Sequence, residues 1–386
     1  MNTILIMKKY VYCLLLIATS CLSCSKKEEQ SLLGETYKIN LEEKTTPFGK
    51  VFSKCEIIPL ETIDNCLIGY CKEIYSVGNR WYIYDDWTQN LYVFNQSGKF
   101  EFQIGRKGQG PGEYLNMYDC IVDSIDNEVS ILESYGRILR YDIEGKYNST
   151  INLPTRPNYY SIEALDDDCL ITWSALEASE NSLLVLAKEN VDTLGSYWND
   201  DRIFNLQQMS PFFSYGRKKF FGVALRQQVY EVLKKELKIA YVWDFGKDNI
   251  SETLLNYYLG MKHPSERNNE ILDDIGSPKL PFILNNQRQN NRYCYVSLRL
   301  ETGIRPALTH VFYDKENDKS FVFDYLDGKE CRMNSPLFFG DDYLLTDVLY
   351  DDRETFKSIL SEAEYRKLEN MLEDDNPCLL KLYFKK

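Results

Sequence analysis

Short apolar runs separated by turn residues dominate the chain, and one group of them repeats. Leu91-Tyr92-Val93-Phe94-Asn95-Gln96-Ser97-Gly98-Lys99-Phe100 and Ile138-Leu139-Arg140-Tyr141-Asp142-Ile143-Glu144-Gly145-Lys146-Tyr147 match at an offset of 47 residues. Each is preceded by a further apolar run, Trp81-Tyr82-Ile83-Tyr84 in the first unit and Val129-Ser130-Ile131-Leu132 in the second. The unit reads as strands joined by tight turns, and its length and content fit a propeller blade of four short antiparallel strands. Gly98 and Gly145 supply the positive φ that such a turn requires, with Asn95 and Asp142 placed to bond the turn backbone, so these residues are structural.

Strand-like runs recur downstream at 169–173, 183–187, 228–232, 239–245, 293–300, 308–313 and 320–325. Roughly 340 residues divided by a unit of this length, with insertions, predict six blades. Two segments break the β pattern. Residues 354–372 place Phe356, Ile359, Leu360, Ala363, Leu368, Met371 and Leu372 near helical spacing with charges between, which predicts one amphipathic helix packed on the propeller. Asn376-Pro377 stops it, and residues 378–384 read as a closing strand beside N-terminal strand material such as Glu56-Ile57-Ile58-Pro59-Leu60. Pairing the first strand with the last protects the edges of the ring. The expectation is an all-β, six-bladed propeller over residues 46–386 with a C-terminal helix.

Ahead of it, Lys8-Lys9, an apolar run of about a dozen residues and Thr19-Ser20-Cys21-Leu22-Ser23-Cys24 read as a secretion signal over residues 1–23, too short to span a bilayer. A cysteine after a small residue at the end of such a run resembles the lipobox of bacterial lipoproteins, where the new N-terminal cysteine carries the lipids. Cys24 is the first choice and Cys21 the rival register. Residues 24–45 then read as a tether, and the expected address is the cell envelope, anchored by lipid in the outer membrane.

Charge narrows the partners. The chain carries 58 Asp and Glu against 45 Lys and Arg, a net charge of −13. That sign repels phosphates, so nucleic acid is not an expected partner, and it also repels an anionic membrane surface, leaving the lipid to hold the protein. Three of the eleven cysteines (Cys13, Cys21 and Cys24) fall in the signal region. The other eight are irregularly spaced in a chain too large to need a disulfide framework, and they read as small buried apolar residues. With no Cys-x-x-Cys among them and His263 and His310 the only histidines, a Cys/His zinc site has little support.

The run Gly105-Arg106-Lys107-Gly108-Gln109-Gly110-Pro111-Gly112-Glu113-Tyr114 invites a phosphate reading. It lacks the Gly-Lys-Ser/Thr and the following helix of a P-loop. A blade connector turned by Gly105, Gly108, Gly110, Pro111 and Gly112 is the favoured reading, with Arg106 and Lys107 the cations it offers a ligand. This loop, the Phe94-Asn95-x-x-Gly98-Lys99-Phe100 turn repeated at Tyr141-Asp142-x-x-Gly145-Lys146, and Asp375-Asn376-Pro377-Cys378-Leu379-Leu380 together resemble the six-bladed β-propeller lipoprotein family of Bacteroidota-type bacteria, a divergent relative of NHL repeats. The resemblance covers the signal, roughly residues 50–150 and about the last 30 residues. It implies fold and envelope location rather than an activity.

Some six-bladed propellers are calcium-dependent lactonases or zinc-dependent lyases with the metal at the channel mouth, and a calcium-dependent enzyme of lactonase or lyase type is the alternative function. Calcium takes about six to eight oxygens. The acidic clusters Asp85-Asp86, Asp166-Asp167-Asp168, Asp273-Asp274, Asp341-Asp342 and Asp351-Asp352 read as solvated loops rather than ligands, so no cofactor is expected other than calcium under the alternative, whose ligands the sequence does not single out. Aromatics make up 14% of the chain, with 29 Tyr and 5 Trp. Most belong to the core, but a Tyr- and Trp-rich face with acidic and amide neighbours also stacks sugar rings and bonds their hydroxyls. Trp81, Trp87 and Trp173 are the ligand-binding candidates, with Trp198 and Trp243 as further probes. The leading expectation is non-catalytic capture of a glycan or peptide, or scaffolding of another envelope protein.

Overall fold

A computed structural model describes residues 34–133, 136–154, 159–174, 183–197, 210–303 and 305–386. The signal segment with Cys21 and Cys24, and Trp198, lie outside the described residues. Six antiparallel four-stranded sheets, one of them extended by a fifth, parallel strand, surround a central channel. From the channel outward, blade 1 consists of Cys71–Val77, Arg80–Asp85, Asn90–Asn95 and Phe100–Ile104. The inner strands of blades 2 to 6 are Met117–Asp123, Ser161–Asp166, Phe212–Tyr215, Ile283–Gln289 and Phe338–Phe339.

Successive side chains of a strand point to opposite faces, and here both faces meet another blade. In Arg80–Asp85, Trp81 and Ile83 enter the core against blade 6, while Tyr82 and Tyr84 enter the core against blade 2. Burial on both sides is why the strands read as unbroken apolar runs rather than as alternating ones. Each of the six blade interfaces has its own buried cluster. The inner strand of blade 5 departs from this chemistry: Asn285, Asn286, Gln287, Arg288, Gln289 and Asn290 are all buried although polar.

The repeated turns work through their polar residue and their glycine. The Asn95 side chain accepts from the N–H groups of Ser97 and Lys99 at 2.9 and 3.2 Å, and Asp142 accepts from Glu144 and Lys146 at 3.0 and 2.9 Å. Gly98 and Gly145 lie at φ +83° and +85°.

Blade 6 closes the ring. Phe338–Phe339, Tyr343–Val348 and Cys378–Phe384 come from the C-terminal part, and Phe52–Pro59 supplies the outer strand, with Glu56 opposite Lys381 and Ile58 opposite Leu379. A segment assigned to the tether is also folded. Glu35–Lys38 runs parallel to Leu237–Asp244 as the fifth strand of blade 4, and Tyr37 stacks on Tyr313 of blade 5 at 4.1 Å. Further on, the N–H of Thr45 donates to the carbonyl of Val322 at 2.7 Å. The N-terminal chain therefore straps blades 4, 5 and 6 together before it enters blade 1, and the folded body begins ahead of residue 46.

The single helix expected over 354–372 is two pieces, 3-10 turns at Tyr350–Ser358 and an α-helix at Glu362–Glu369. Ser361 divides them, because its hydroxyl accepts from the N–H of Glu364 at 3.3 Å and so caps a new helix. Phe356, Leu368 and Met371 still pack into the core between blades 5 and 6. Two further helices, Glu252–Leu259 and Pro264–Asp274, form a layer of their own between blades 4 and 5, burying Leu254, Leu255, Tyr258 and Ile271. No helix among the described residues is long and apolar enough to cross a membrane. All eight described cysteines are free and all but Cys55 are buried. Burial pushes thiols such as that of Cys66 up to about 12, out of the reactive range.

Candidate functional site

Inner strands begin, and second strands end, at the same rim of the ring. There the channel opens into a funnel of about 720 Å³ bordered by residues of several blades, and narrows below into a throat of about 210 Å³. Lys72 and Ser210 border both spaces.

One wall of the funnel is aromatic. Trp87, in the turn after the second strand of blade 1, is 77% exposed, and Tyr118 and Tyr160, at the starts of the inner strands of blades 2 and 3, are 40% and 38% exposed. The two tyrosine rings lie 6.2 Å apart and within 15° of parallel. A buried carboxylate builds this wall. Asp85 is fully covered and accepts from the N–H groups of Gly69, Tyr70 and Trp87 at 3.0, 2.8 and 3.1 Å, and from the Thr88 hydroxyl at 2.6 Å. It thus ties the loop entering blade 1 to the turn that carries Trp87. Gly69 lies beneath the indole, where an added Cβ would stand 2.9 Å from Trp87 Cβ and Cγ.

The facing wall, from blades 5 and 6, is polar. Asn285 donates to the hydroxyls of Ser335 and Ser297 at 3.3 and 3.5 Å, and Asn334 donates to Asp347 at 3.0 Å. Burial holds the Asp347 carboxyl above its ordinary range. Charges on the rim are matched: Lys72 pairs with Asp86 at 3.1 Å, and Arg305 lies 3.9 and 3.8 Å from Asp351 and Asp352. In the throat, Arg288 pairs with Glu73, Lys219 pairs with Glu163 at 3.1 Å, and Asp119 accepts from the N–H of Ile162 at 3.0 Å. Burial pushes the Asp119 carboxyl up to about 6, opposed by Lys72 and the Ile162 N–H.

The structure separates the residues that the sequence proposed together. Of the tryptophans offered as ligand contacts, Trp87 alone borders the funnel; Trp81 and Trp173 are 0% and 3% exposed inside the blades, because their places in apolar strands turn them into the interfaces with blades 6 and 4. Trp243 is buried as well, donating to Gln287 at 3.0 Å. Arg106 and Lys107 do not border the funnel. They form a two-residue parallel pairing with Glu113-Tyr114, and Arg106 donates to Glu113 at 2.7 Å. Glu113 also accepts from the N–H of Gly110 at 2.8 Å, and these two contacts, the backbone one first, hold its carboxyl below the usual range. Gly105 and Gly112 take φ values of +63° and +72°, a Cβ at Gly108 would stand 2.0 Å from Glu113 Oε2, and Pro111 sits in the exposed turn beside them. Arg106 is thus engaged with Glu113 within the loop, while Lys107 is exposed on it away from the funnel. Asp85, read as part of a solvated acidic pair, is instead the clamp of the mouth.

Among the described residues no three His, Cys, Asp or Glu side chains are grouped so as to hold a metal ion. His310 is locked between the Tyr295 hydroxyl at 2.8 Å and the Met333 carbonyl at 2.9 Å, away from the funnel, and burial lowers its pKa to about 4.

A crystal structure of a candidate exported protein from Bacteroides fragilis superposes with a TM-score of 0.72 at 21% identity, over 91% of this chain and 99% of that one. A member of the DUF4221 family from Bacteroides vulgatus superposes with a TM-score of 0.52 at 11% identity, over 87% and 98% of the two chains. At these identities the likeness is one of fold. No curated protein matches the sequence. The profile of a domain of unknown function, DUF4934, matches residues 36–383, and the chain belongs to that family.

Proposed function

We propose that this protein is an exported, lipid-anchored binding protein of the cell envelope that captures a glycan or peptide at the mouth of its propeller, without catalysis. The observation that carries the reading is the funnel of about 720 Å³ with three exposed aromatic side chains on one wall. That volume falls in the usual range for ligand sites, and exposed rings gathered at one cavity mark recognition surfaces. The signal-like N-terminus supports export, as does the description of the B. fragilis relative.

The strap supports a particular orientation. Leu237–Asp244 is an outer strand, so it runs toward the mouth rim, and Glu35–Lys38 runs parallel to it. Glu35–Lys38 therefore starts at the opposite rim, which favours an orientation with the mouth directed away from the bilayer if Cys24 carries the lipid.

Thermal melting of the soluble protein without its signal segment, against oligosaccharides and peptides, tests the reading. A ligand at about 100 times its Kd adds about 2.7 kcal/mol, and Trp87→Ala should cut the shift at that concentration by about half or more while leaving the unliganded melt unchanged. A ligand-induced shift that survives Trp87→Ala and Tyr118→Ala together would place binding elsewhere.

A further inference from the structure

We infer that the ligand of the mouth is a neutral, hydroxyl-rich saccharide, its ring stacked on the Trp87–Tyr118–Tyr160 wall and its hydroxyls bonded to the amide wall around Asn285. The inference rests on the mouth being the binding site and names the chemistry that site takes.

Three observations converge on it. First, the two walls have the two chemistries of a sugar: flat apolar rings on blades 1 to 3, and amide and hydroxyl groups on blades 5 and 6. The C–H face of a pyranose packs on an aromatic ring while its rim of O–H groups needs donors and acceptors. Second, the polar wall has unused hydrogen-bonding capacity. Asn285 is 3% exposed and its Oδ1 has no partner, while its amide nitrogen is spent on Ser297 and Ser335. At the throat, Arg288 Nε is unpartnered too. Buried polar atoms are nearly always bonded, so an unpartnered one beside a cavity marks where water or a ligand supplies the missing partner. Third, the cationic side chains bordering the funnel already have counter-charges, Lys72 in Asp86 and Arg305 in Asp351 and Asp352, while Asp347 is bonded to Asn334. An anionic ligand would have to break these pairs. A neutral one leaves them intact.

A peptide fits less well. Extended peptides add to a free strand edge or lie in a long groove, whereas this space is a funnel bordered by loops and strand starts around the ring axis.

Calorimetric titration of the soluble protein distinguishes the outcomes. The probes are neutral hexose and N-acetylhexosamine oligosaccharides, matched uronate-containing oligosaccharides, and mixed-sequence hexapeptides. Neutral saccharides should bind, uronates at least tenfold more weakly, and Trp87→Ala, at an exposed position that cannot unfold the protein, should weaken the neutral saccharide at least tenfold. Asn285→Ala, checked for an unchanged fold by circular dichroism, should weaken the parent sugar while binding one of its monodeoxy analogues as well as the unaltered protein does. Preference for uronates, or binding of peptides alone in a Trp87-dependent way, overturns the saccharide inference and leaves the mouth as the site. Binding by none of the probes overturns both.

Discussion

Trp81 and Trp87 stand six positions apart and do different work. Trp81 fills the interface between blades 1 and 6, so Trp81→Ala should cost about 3–5 kcal/mol in chemical denaturation. Trp87→Ala should stay within about 0.5 kcal/mol. Gly69→Ala sets a methyl against the Trp87 side chain, and it should weaken ligand binding by more than it lowers stability. Asp119 gives a pH signature. Its carboxyl rises from 3.8 to about 6 in the fold, so it contributes stability that is full below the lower value and is lost as pH rises through the higher one. Asp119→Asn, which keeps an oxygen for the Ile162 N–H, should therefore gain on the unaltered protein between pH 4 and pH 7, by up to about 3 kcal/mol. Melting curves across that range read it directly, and a difference independent of pH would refute the assignment. The sequence held a signal for separating the tryptophans: Trp81 opens an apolar run, whereas Trp87 follows Asp85-Asp86 in a polar turn. It held none for Asp85, whose four partners come together only when the loop entering blade 1 folds back over the turn.

At the scale of elements, the repeated turns look alike in sequence and differ in surroundings. Both glycines need positive φ, but a Cβ at Gly98 would stand 2.0 Å from the carbonyl oxygen of Pro59 in blade 6, whereas at Gly145 the nearest atom is Ile104 Cδ1 at 3.4 Å. Gly145→Ala should cost about 1 kcal/mol, the usual penalty for the left-handed region. Gly98→Ala should cost clearly more, because backbone must move as well. Strands such as Leu183–Ala187 could be read from the chain because burial on both faces leaves an uninterrupted apolar run, and Cys378–Phe384 because Lys381 alone breaks one. Glu35–Lys38 could not. Tyr37 is its one buried side chain, and its pairing with blade 4 and stacking on Tyr313 are tertiary contacts with no local trace. The helices Glu252–Leu259 and Pro264–Asp274 are short, and their packing on each other and on Ile283 of blade 5 left only the Leu254–Tyr258 and Ile271–Ile275 spacings as a signal.

For the whole molecule, closure is the central structural fact. Blade 6 is built from both ends of the chain, so its integrity reports on the ring. Truncation after Asn376 removes the strand that joins Tyr343–Val348 to Phe52–Pro59, and it should abolish the cooperative thermal transition in circular dichroism. Removing residues 34–40 takes away the fifth strand of blade 4, and it should lower the melting temperature by a few degrees without loss of cooperativity. The ring was foreseeable from the 47-residue repeat and the closing strand; the mouth was not, because its walls combine loops from blades far apart in sequence, from Gly69 to Pro377. The most direct measurement of the mouth as a binding site is iodide quenching of tryptophan fluorescence with and without saccharide. Of the described tryptophans only Trp87 is open to solvent, so bound saccharide should shield a quenchable component that Trp87→Phe removes. Saturating ligand that leaves the quenching of Trp87 unchanged would contradict binding at the mouth.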